Sequence, residues 1–292
     1  MRSYRTPRPV RALPSAPPHV VRPARLRRPI RRRPRLGPRR AWNWTAVASL
    51  LAATAAGAGV VFTGLSLQAT REQNAVTEQG QLTDRFTKAV DQLDRIGADH
   101  LQARLGGIYA LERLARDSPR DHPTVIEALS AYVRSTTPRR PNDPGTPGYA
   151  PCPEQPAVDV QAALTVLGRR DTGHDQGTRV DLTETCLGRA KLAGADLDGA
   201  DLADADLGGA DLGVADFTGA DLRGANLSRA YLEGAVLAGA DIYSAYLTGT
   251  NLRGANLEGA NLTDANLTSA NLTDAYLEGA VLAGANLTDT RR

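Results

Sequence analysis

Residues 195–229 read ADLDGADLADADLGGADLGVADFTGADLRGANLSR. A leucine, or Phe217 in its place, returns every fifth residue. The same beat runs from Leu182 to Leu287 through 22 positions, with only Phe217 and Ile242 departing from leucine. Two residues before each of these, from Ala190 to Ala285, stands alanine, with Thr250 the single exception. The residue between is usually Asp or Asn. A period of five excludes both regular elements. Five helical steps of about 100° leave successive leucines about 140° apart, so they would wind around every face. In a continuous strand side chains alternate with period two, and leucines five apart would fall on opposite faces. The chain must turn once per repeat, with Ala and Leu pointing inward from a short extended stretch and the residue between them outward. Glycine fills the second corner position in 12 of the 22 repeats, as a positive φ demands.

These units, for example Ala195-Asp196-Leu197-Asp198-Gly199 and Ala270-Asn271-Leu272-Thr273-Asp274, resemble the pentapeptide repeat family over residues 180–289. The resemblance implies a mainly β fold for residues 180–292: a right-handed quadrilateral β-helix, or pentapeptide repeat solenoid, with four units per coil. Twenty-two units make about five and a half coils, stacked at about 4.8 Å into a rod near 26 Å long. Ala suits its crowded wall and Leu fills its axis. Aromatic residues make up only 4% of the chain, so a conventional aromatic core is not expected.

Upstream the organisation changes. Residues 1–41 form an Arg/Pro-rich tail, expected to be disordered because it cannot bury enough apolar surface to offset ordering entropy. Its first 40 residues hold 14 Arg and no acid, which leaves the rest of the chain at net −11. Residues 42–70 read as a transmembrane helix. Thr45 to Leu67 is 23 residues without a charge, flanked by Trp42 and Trp44, and about 34 Å of helix suffices for a hydrocarbon core of about 30 Å. The Ala53-Thr54-Ala55 and Ala56-Gly57-Ala58 triplets leave a processed export signal open as an alternative. The positive-inside rule puts the basic tail in the cytoplasm and the repeats outside, as a single-pass membrane protein.

Residues 71–134 carry three amphipathic stripes and read as an α-helical module: Leu82, Phe86, Ala89, Val90, Leu93 and Ile96; then Leu101, Leu105, Ile108, Leu111 and Leu114; then Val125, Ile126, Leu129, Tyr132 and Val133. The segments Arg85–Leu93 and Arg104–Leu114 resemble the helical module that precedes the repeats in membrane-anchored bacterial members of the family. Residues 135–179 read as a Pro-rich linker with a short helix near 157–167.

Enzyme signatures are absent: no Walker loop, HExxH or GxSxG occurs, and the four histidines fall in unrelated segments. Neither a catalytic residue nor a cofactor is expected. No metal ligand is expected either, since the two cysteines lack zinc-site spacing. The repeats themselves carry 17 acids and 5 bases. Asp196, Asp201, Asp206, Asp211, Asp216 and Asp221 give the early coils a negative band, for which three readings compete. It is a solvated surface, an electrostatic imitation of DNA of the kind known among family members that block topoisomerases, or a calcium ladder, the last weakened by the lack of convergent oxygens. Tyr231, Tyr246 and Tyr276, with Val236 and Val281, interrupt the polar ladders and are candidate partner contacts, the alternative being local stacking on a neighbouring rung.

The primary expectation is a membrane-anchored, non-enzymatic protein-interaction or scaffold module for a protein partner of unspecified identity. It is anchored through residues 45–67, without direct nucleic-acid binding by the repeats, and with a homodimer through the C-terminal coil as a further hypothesis. The alternative is an acidic, DNA-mimicking β-helix that binds a topoisomerase or other DNA-handling enzyme in the cytoplasm. Should the rod lie outside the cell, Cys152 and Cys186 are candidates for a disulfide tying the linker to the first coil.

Overall fold

The computed structural model describes residues 43–139 and 152–292; the basic tail and the middle of the Pro-rich linker lie outside the described residues. The chain divides into two compact units, Met1–Leu65 and Ser66–Arg292. Four helices are described: α1 (Trp44–Leu93), α2 (Leu101–Asp117), α3 (His122–Thr136) and α4 (Val158–Gly168).

Within Met1–Leu65, the N-terminal part of α1 is rich in Ala and leaves Leu50, Leu51, Val60, Val61, Phe62 and Leu65 exposed. The hydroxyls of Ser49, Thr54 and Thr63 return hydrogen bonds to carbonyls of their own helix. By length and composition this helix is apolar and long enough to cross a membrane.

In the second unit the last turns of α1 bury Ala89 and Leu93, with Phe86 half-buried beside them. The stripe stops one position, or three residues, earlier than its spacing predicts. α1 ends at Leu93, Gly97 turns the chain at φ 104°, and Ile96 is left 90% exposed. In α2, Ile108, Leu111 and Leu114 are buried, and in α3 Val125, Ile126, Leu129, Tyr132 and Val133. Pro123 sits in the first turn of α3, where a missing N–H costs no helical hydrogen bond. The apolar α4 buries Val160, Ala163, Leu164 and Leu167 against both the helices and the first coil.

From Asp181 onward the backbone forms parallel bridges at a spacing of 20 residues, from Asp181 with Asp201 to Asn271 with Arg291. Four pentapeptides therefore make one coil. Each axial residue that has a coil after it donates to that coil, as in Leu197 N–H to the Asp216 carbonyl at 2.7 Å, and each outward residue donates back, as in Asp216 N–H to the Ala195 carbonyl at 2.9 Å. The corner closes with Ala200 N–H on the Leu197 carbonyl at 3.0 Å. The alanines and leucines of the first four coils are buried and continuous with the helical core.

All 22 corners place their second residue at positive φ, including the ten that are not glycine. Nine of those are polar or charged. Val214 is the odd one: a β-branched side chain at φ 50°, 68% exposed. For an L-residue this region costs about 1–2 kcal/mol, and branching at Cβ adds to it. Val214→Gly is therefore expected to stabilise the repeats by about 1 kcal/mol after glycine's own entropy cost, read as a higher midpoint in thermal unfolding. An unchanged or lower midpoint would show that Val214 is held by contacts that offset the strain.

The helical module closes the N-terminal end of the β-helix. In later coils an outward residue donates its N–H to the coil before it. In the first coil no such coil exists, and each of the four donors finds a substitute. Asp181 N–H meets Ser130 Oγ on α3 at 3.4 Å, and Cys186 N–H meets the Thr137 carbonyl at 2.7 Å. Lys191 N–H meets Gln161 Oε1 on α4 at 2.9 Å, and Asp196 N–H meets the Gly168 carbonyl at 2.8 Å. Gly168 permits the last of these, because a Cβ there would lie 2.7 Å from the Ala195 methyl. An open edge of strand donors is thus covered by helices.

Candidate interaction surface

The 20-residue register sorts the outward residues into four ladders. One runs Asp181, Asp201, Asp221, Asp241, Asn261, Val281 and a second Cys186, Asp206, Asn226, Tyr246, Asn266, Asn286. The third is Lys191, Asp211, Tyr231, Asn251, Asn271, Arg291, and the fourth Asp196, Asp216, Val236, Asn256, Tyr276. The six aspartates singled out from the sequence therefore encircle the early coils and do not share one face. Asp201 and Asp221 stack on one ladder, Asp196 and Asp216 on another, and Asp206 and Asp211 stand alone on the remaining two. The three tyrosines lie on three different ladders. Tyr231, Tyr246 and Tyr276 are each more than half exposed and do not converge into one patch.

Local geometry explains why the outward position favours Asp and Asn. The side-chain oxygen accepts the backbone N–H two residues on, as in Asp201 with Ala203 at 3.1 Å, Asp206 with Gly208 at 3.0 Å and Asn256 with Glu258 at 3.0 Å. This is an Asx turn at the corners that follow an outward Asp or Asn, a role that Asn fills as well as Asp. One carboxylate oxygen of each early aspartate is thereby committed to the fold. Between coils, Asn226 Nδ2 donates to Asp206 Oδ1 and Asn261 Nδ2 to Asp241 Oδ1, both at 2.8 Å.

The densest acid column is also the one that carries its own cation. Arg223, on the corner after Asp221, holds that carboxylate with Nε at 2.8 Å and Nη2 at 2.5 Å and lies 3.8 Å from Asp241. Its guanidinium keeps the Asp221 carboxyl below the usual range. Arg134 of α3 pairs with Asp181 at the foot of the column. A sequence reading that scans only the outward positions misses Arg223, because it occupies a corner.

The cap contains a second cluster that the stripes did not reveal. Asp159, in the first turn of α4, is 4% exposed; its Oδ2 accepts from Tyr132 Oη at 2.7 Å and Arg104 Nε at 2.5 Å. Arg104 also donates to the carbonyls of Arg95 and Gly97. Burial pushes the Asp159 carboxyl upward, but the Tyr132 and Arg104 hydrogen bonds outweigh it and hold the group below its ordinary value. Tyr132 is raised, chiefly by burial and next by its bond to Asp159. The sequence signal was present: a lone acid in Val158-Asp159-Val160, in an otherwise apolar helix.

Cys152 and Cys186 form a disulfide, with their Cα atoms 5.3 Å apart. It fastens the segment before α4 to the first coil and closes a loop 34 residues long in separation. Chain entropy for such a loop gives about 3–4 kcal/mol. Cys186→Ser is therefore expected to lower stability by that order under oxidising conditions and by almost nothing once dithiothreitol is present. Equal effects in both conditions would mean that the serine acts through packing.

Among the described residues no group of three or more His, Cys, Asp and Glu side chains is placed to hold a metal ion. The family model "Pentapeptide repeats (8 copies)" matches residues 178–213, 215–254 and 251–289. Among solved structures, the chain is 32% identical to HetL, a pentapeptide repeat protein involved in heterocyst differentiation regulation from the cyanobacterium Nostoc sp. strain PCC 7120. That match covers 38% of this chain and 73% of that one, at a TM-score of 0.23.

The chain belongs to the pentapeptide repeat family. Two further members agree. Rfr23 from the cyanobacterium Cyanothece 51142 is 36% identical over 41% of this chain and 69% of its own, with a TM-score of 0.21. Alr5209 from Nostoc PCC 7120 is 36% identical over 35% of this chain and 84% of its own, with a TM-score of 0.21. No curated protein matches. Family membership implies the right-handed sense of the four-sided coil, and pentapeptide repeat proteins as a class mediate protein interactions. In this pentapeptide repeat protein the interaction chemistry available on the coils is the four ladders and their corners.

Proposed function

We propose that the chain is a membrane-anchored, non-enzymatic scaffold whose β-helix presents the four ladders to a protein partner outside the cytoplasm. One observation carries the reading. Apart from Phe217 and Thr250 the interior of the coils is filled with aliphatic side chains, so nearly all the chemistry that varies from coil to coil is on the outside, at fixed 20-residue register. Tyr231, Tyr246 and Tyr276 are the anchors such a partner would meet, each on its own face.

Membrane attachment rests on the exposed apolar run of α1 from Thr45 to Leu67 and on its internally satisfied hydroxyls, the form a spanning helix requires. Orientation rests on the 14 Arg that precede it and on the Cys152–Cys186 disulfide, a bond that persists in oxidising compartments. Association of two copies through the last coil belongs to the same reading, since Leu277, Leu282 and Leu287 keep partial exposure. A strictly single-chain mass for the detergent-solubilised protein at high concentration would count against that step.

The cytoplasmic alternative, in which the acidic rod engages a DNA-handling enzyme, draws on the Asp181, Asp201, Asp221 and Asp241 column. Arg223 and Arg134 blunt that column, which is why we favour the first reading. A reporter fused after Arg292 separates the two. Alkaline phosphatase activity there supports the extracytoplasmic scaffold, whereas activity only from a cytoplasm-dependent reporter overturns the orientation and returns the alternative.

A further inference from the structure

Where α2, α3, α4 and the short helical turn Thr172–His174 meet, they form a partly open cavity of about 150 Å³ lined by Glu112, Arg116, His122, Arg169, Arg170, Asp171 and His174. This is far more than the ~10–15 Å³ that a single water needs. Ala115 and Val166 supply its apolar lining. The repeats do not line it, and the partner reading above does not use it.

All six carboxylate oxygens around the cavity are already engaged. Glu112 Oε1 and Oε2 accept from Arg169, at 2.8 and 2.9 Å, and Oε1 also from Arg116 at 3.1 Å. Asp175 Oδ1 faces His122 Nε2 and its Oδ2 accepts from Arg170 Nε, both at 2.9 Å. Asp171 Oδ1 accepts from Gly173 N–H and its Oδ2 faces His174 Nδ1, both at 3.1 Å.

The donors are not used up. Arg170 is consumed: it is buried, and its remaining nitrogens hold the Leu167 and Asp196 carbonyls and Asp175. Arg116 engages only Nη2, Arg169 only Nε and Nη2, and His174 only Nδ1. Among the described residues, Arg116 Nε and Nη1, Arg169 Nη1 and His174 Nε2 therefore have no protein partner. They belong to three separate elements that line one cavity, and the side chains that carry them are open to solvent, Arg116 most of all.

We propose that this cavity binds a small oxyanion, the ligand class that brings several acceptors and no competing donors to a site whose own acceptors are spent. Arg116 and Arg169 supply the charge-assisted hydrogen bonds, His174 Nε2 a further one, and buried Arg170 a fixed positive charge beneath. Three arginines against three carboxylates leave the empty site balanced, so the affinity is weak. A phosphate group and a carboxylate share the required chemistry.

The test uses the full chain in detergent micelles, titrated with inorganic phosphate, and separately with acetate, against chloride at constant ionic strength. Binding is read by calorimetry and by the His174 imidazole resonances, identified by their loss in His174→Gln. Saturable binding with a displaced His174 signal is expected, weakened about tenfold or more by Arg116→Gln combined with Arg169→Gln. Preference for phosphate or for acetate names the ligand source. If the double variant fails to fold, Arg116→Gln alone, which removes only one exposed pairing with Glu112, is expected to weaken binding in the same direction. Absence of saturation with both anions overturns the proposal. So does saturation that the folded variants leave unchanged, because the anion would then sit elsewhere, for instance on the Arg-rich tail. Either failure leaves the scaffold reading intact, since that reading is tested by topology.

Discussion

Asp159→Ala is expected to destabilise the cap and first coil by about 3–5 kcal/mol, the cost of breaking a buried ion pair from one side. The carboxylate sits at the centre of a three-way junction: α4 carries it, Tyr132 reaches it from α3, and Arg104 from α2. Removing it strands the Tyr132 hydroxyl and leaves Arg104, itself only 15% exposed, without its counter-charge. α4 also supplies both ends of the Gln161 amide and the Gly168 carbonyl to the first coil, so loosening its first turn reaches the repeats through three further hydrogen bonds. Thermal unfolding should show the loss, and trypsin should cut near Arg95 and Arg104 sooner. A variant within about 0.5 kcal/mol of the parent, the ordinary range for surface changes, would show that the cluster is not holding the cap.

The same carboxylate sets an acid limit. Its pKa is held below the ordinary carboxylate value, so it binds fewer protons in the folded than in the unfolded chain, and its stabilising contribution is complete above the unfolded value of about 3.9. As pH falls below that and through the folded pKa, the contribution is lost. Parent protein should therefore lose stability more steeply than Asp159→Asn on acidification below about pH 4. Identical slopes for the two proteins would assign acid sensitivity to other carboxylates.

The coil was legible because its signal is a count. A five-residue beat of inward leucine and alanine has no helical or strand solution, and a single residue per corner must take positive φ; both constraints act locally and repeat 22 times. The helical stripes were readable for the same reason, up to Ile96, where a spacing argument cannot see that the helix has already ended at Leu93. What the pattern could not reveal is anything that depends on which residues stack. Asp196 and Asp201 are neighbours in sequence and lie on different faces, whereas Asp201 and Asp221 share one. Arg223 occupies a corner and neutralises a ladder to which the repeat pattern does not assign it. The pairing of Arg104 with Asp159 spans 55 residues and joins elements that are each amphipathic on their own terms. The first-coil caps are invisible for a further reason: Ser130, Thr137, Gln161 and Gly168 share no motif, only a position opposite a donor.

Phe217→Ala is the largest effect expected within the repeats, about 3–5 kcal/mol. Phe217 is fully buried and is the only aromatic among the 22 axial positions, so the coils around it are packed to a volume that leucine does not reach. Its neighbours on the same ladder are Leu197 below and Leu237 above, both buried, and the bridges on either side hold the backbone at a fixed spacing. Collapse into the vacated space is therefore resisted by parallel hydrogen bonds above and below, and the cavity term should be near its upper range. Phe217→Leu restores the residue used at nearly every other axial position, and is expected to cost only about 1–1.5 kcal/mol. Because each coil touches only its neighbours, the damage should be local at first. Hydrogen exchange should rise for Leu197, Phe217 and Leu237 amides before it rises in the cap or the last coils. Uniform exchange across all coils would mean that the β-helix and its helical cap unfold as one cooperative unit, and the leucine variant would then distinguish lost volume from lost aromatic contact. Should Phe217→Leu cost as much as Phe217→Ala, the axis at this point is specific for a ring and the solenoid is not built from interchangeable layers.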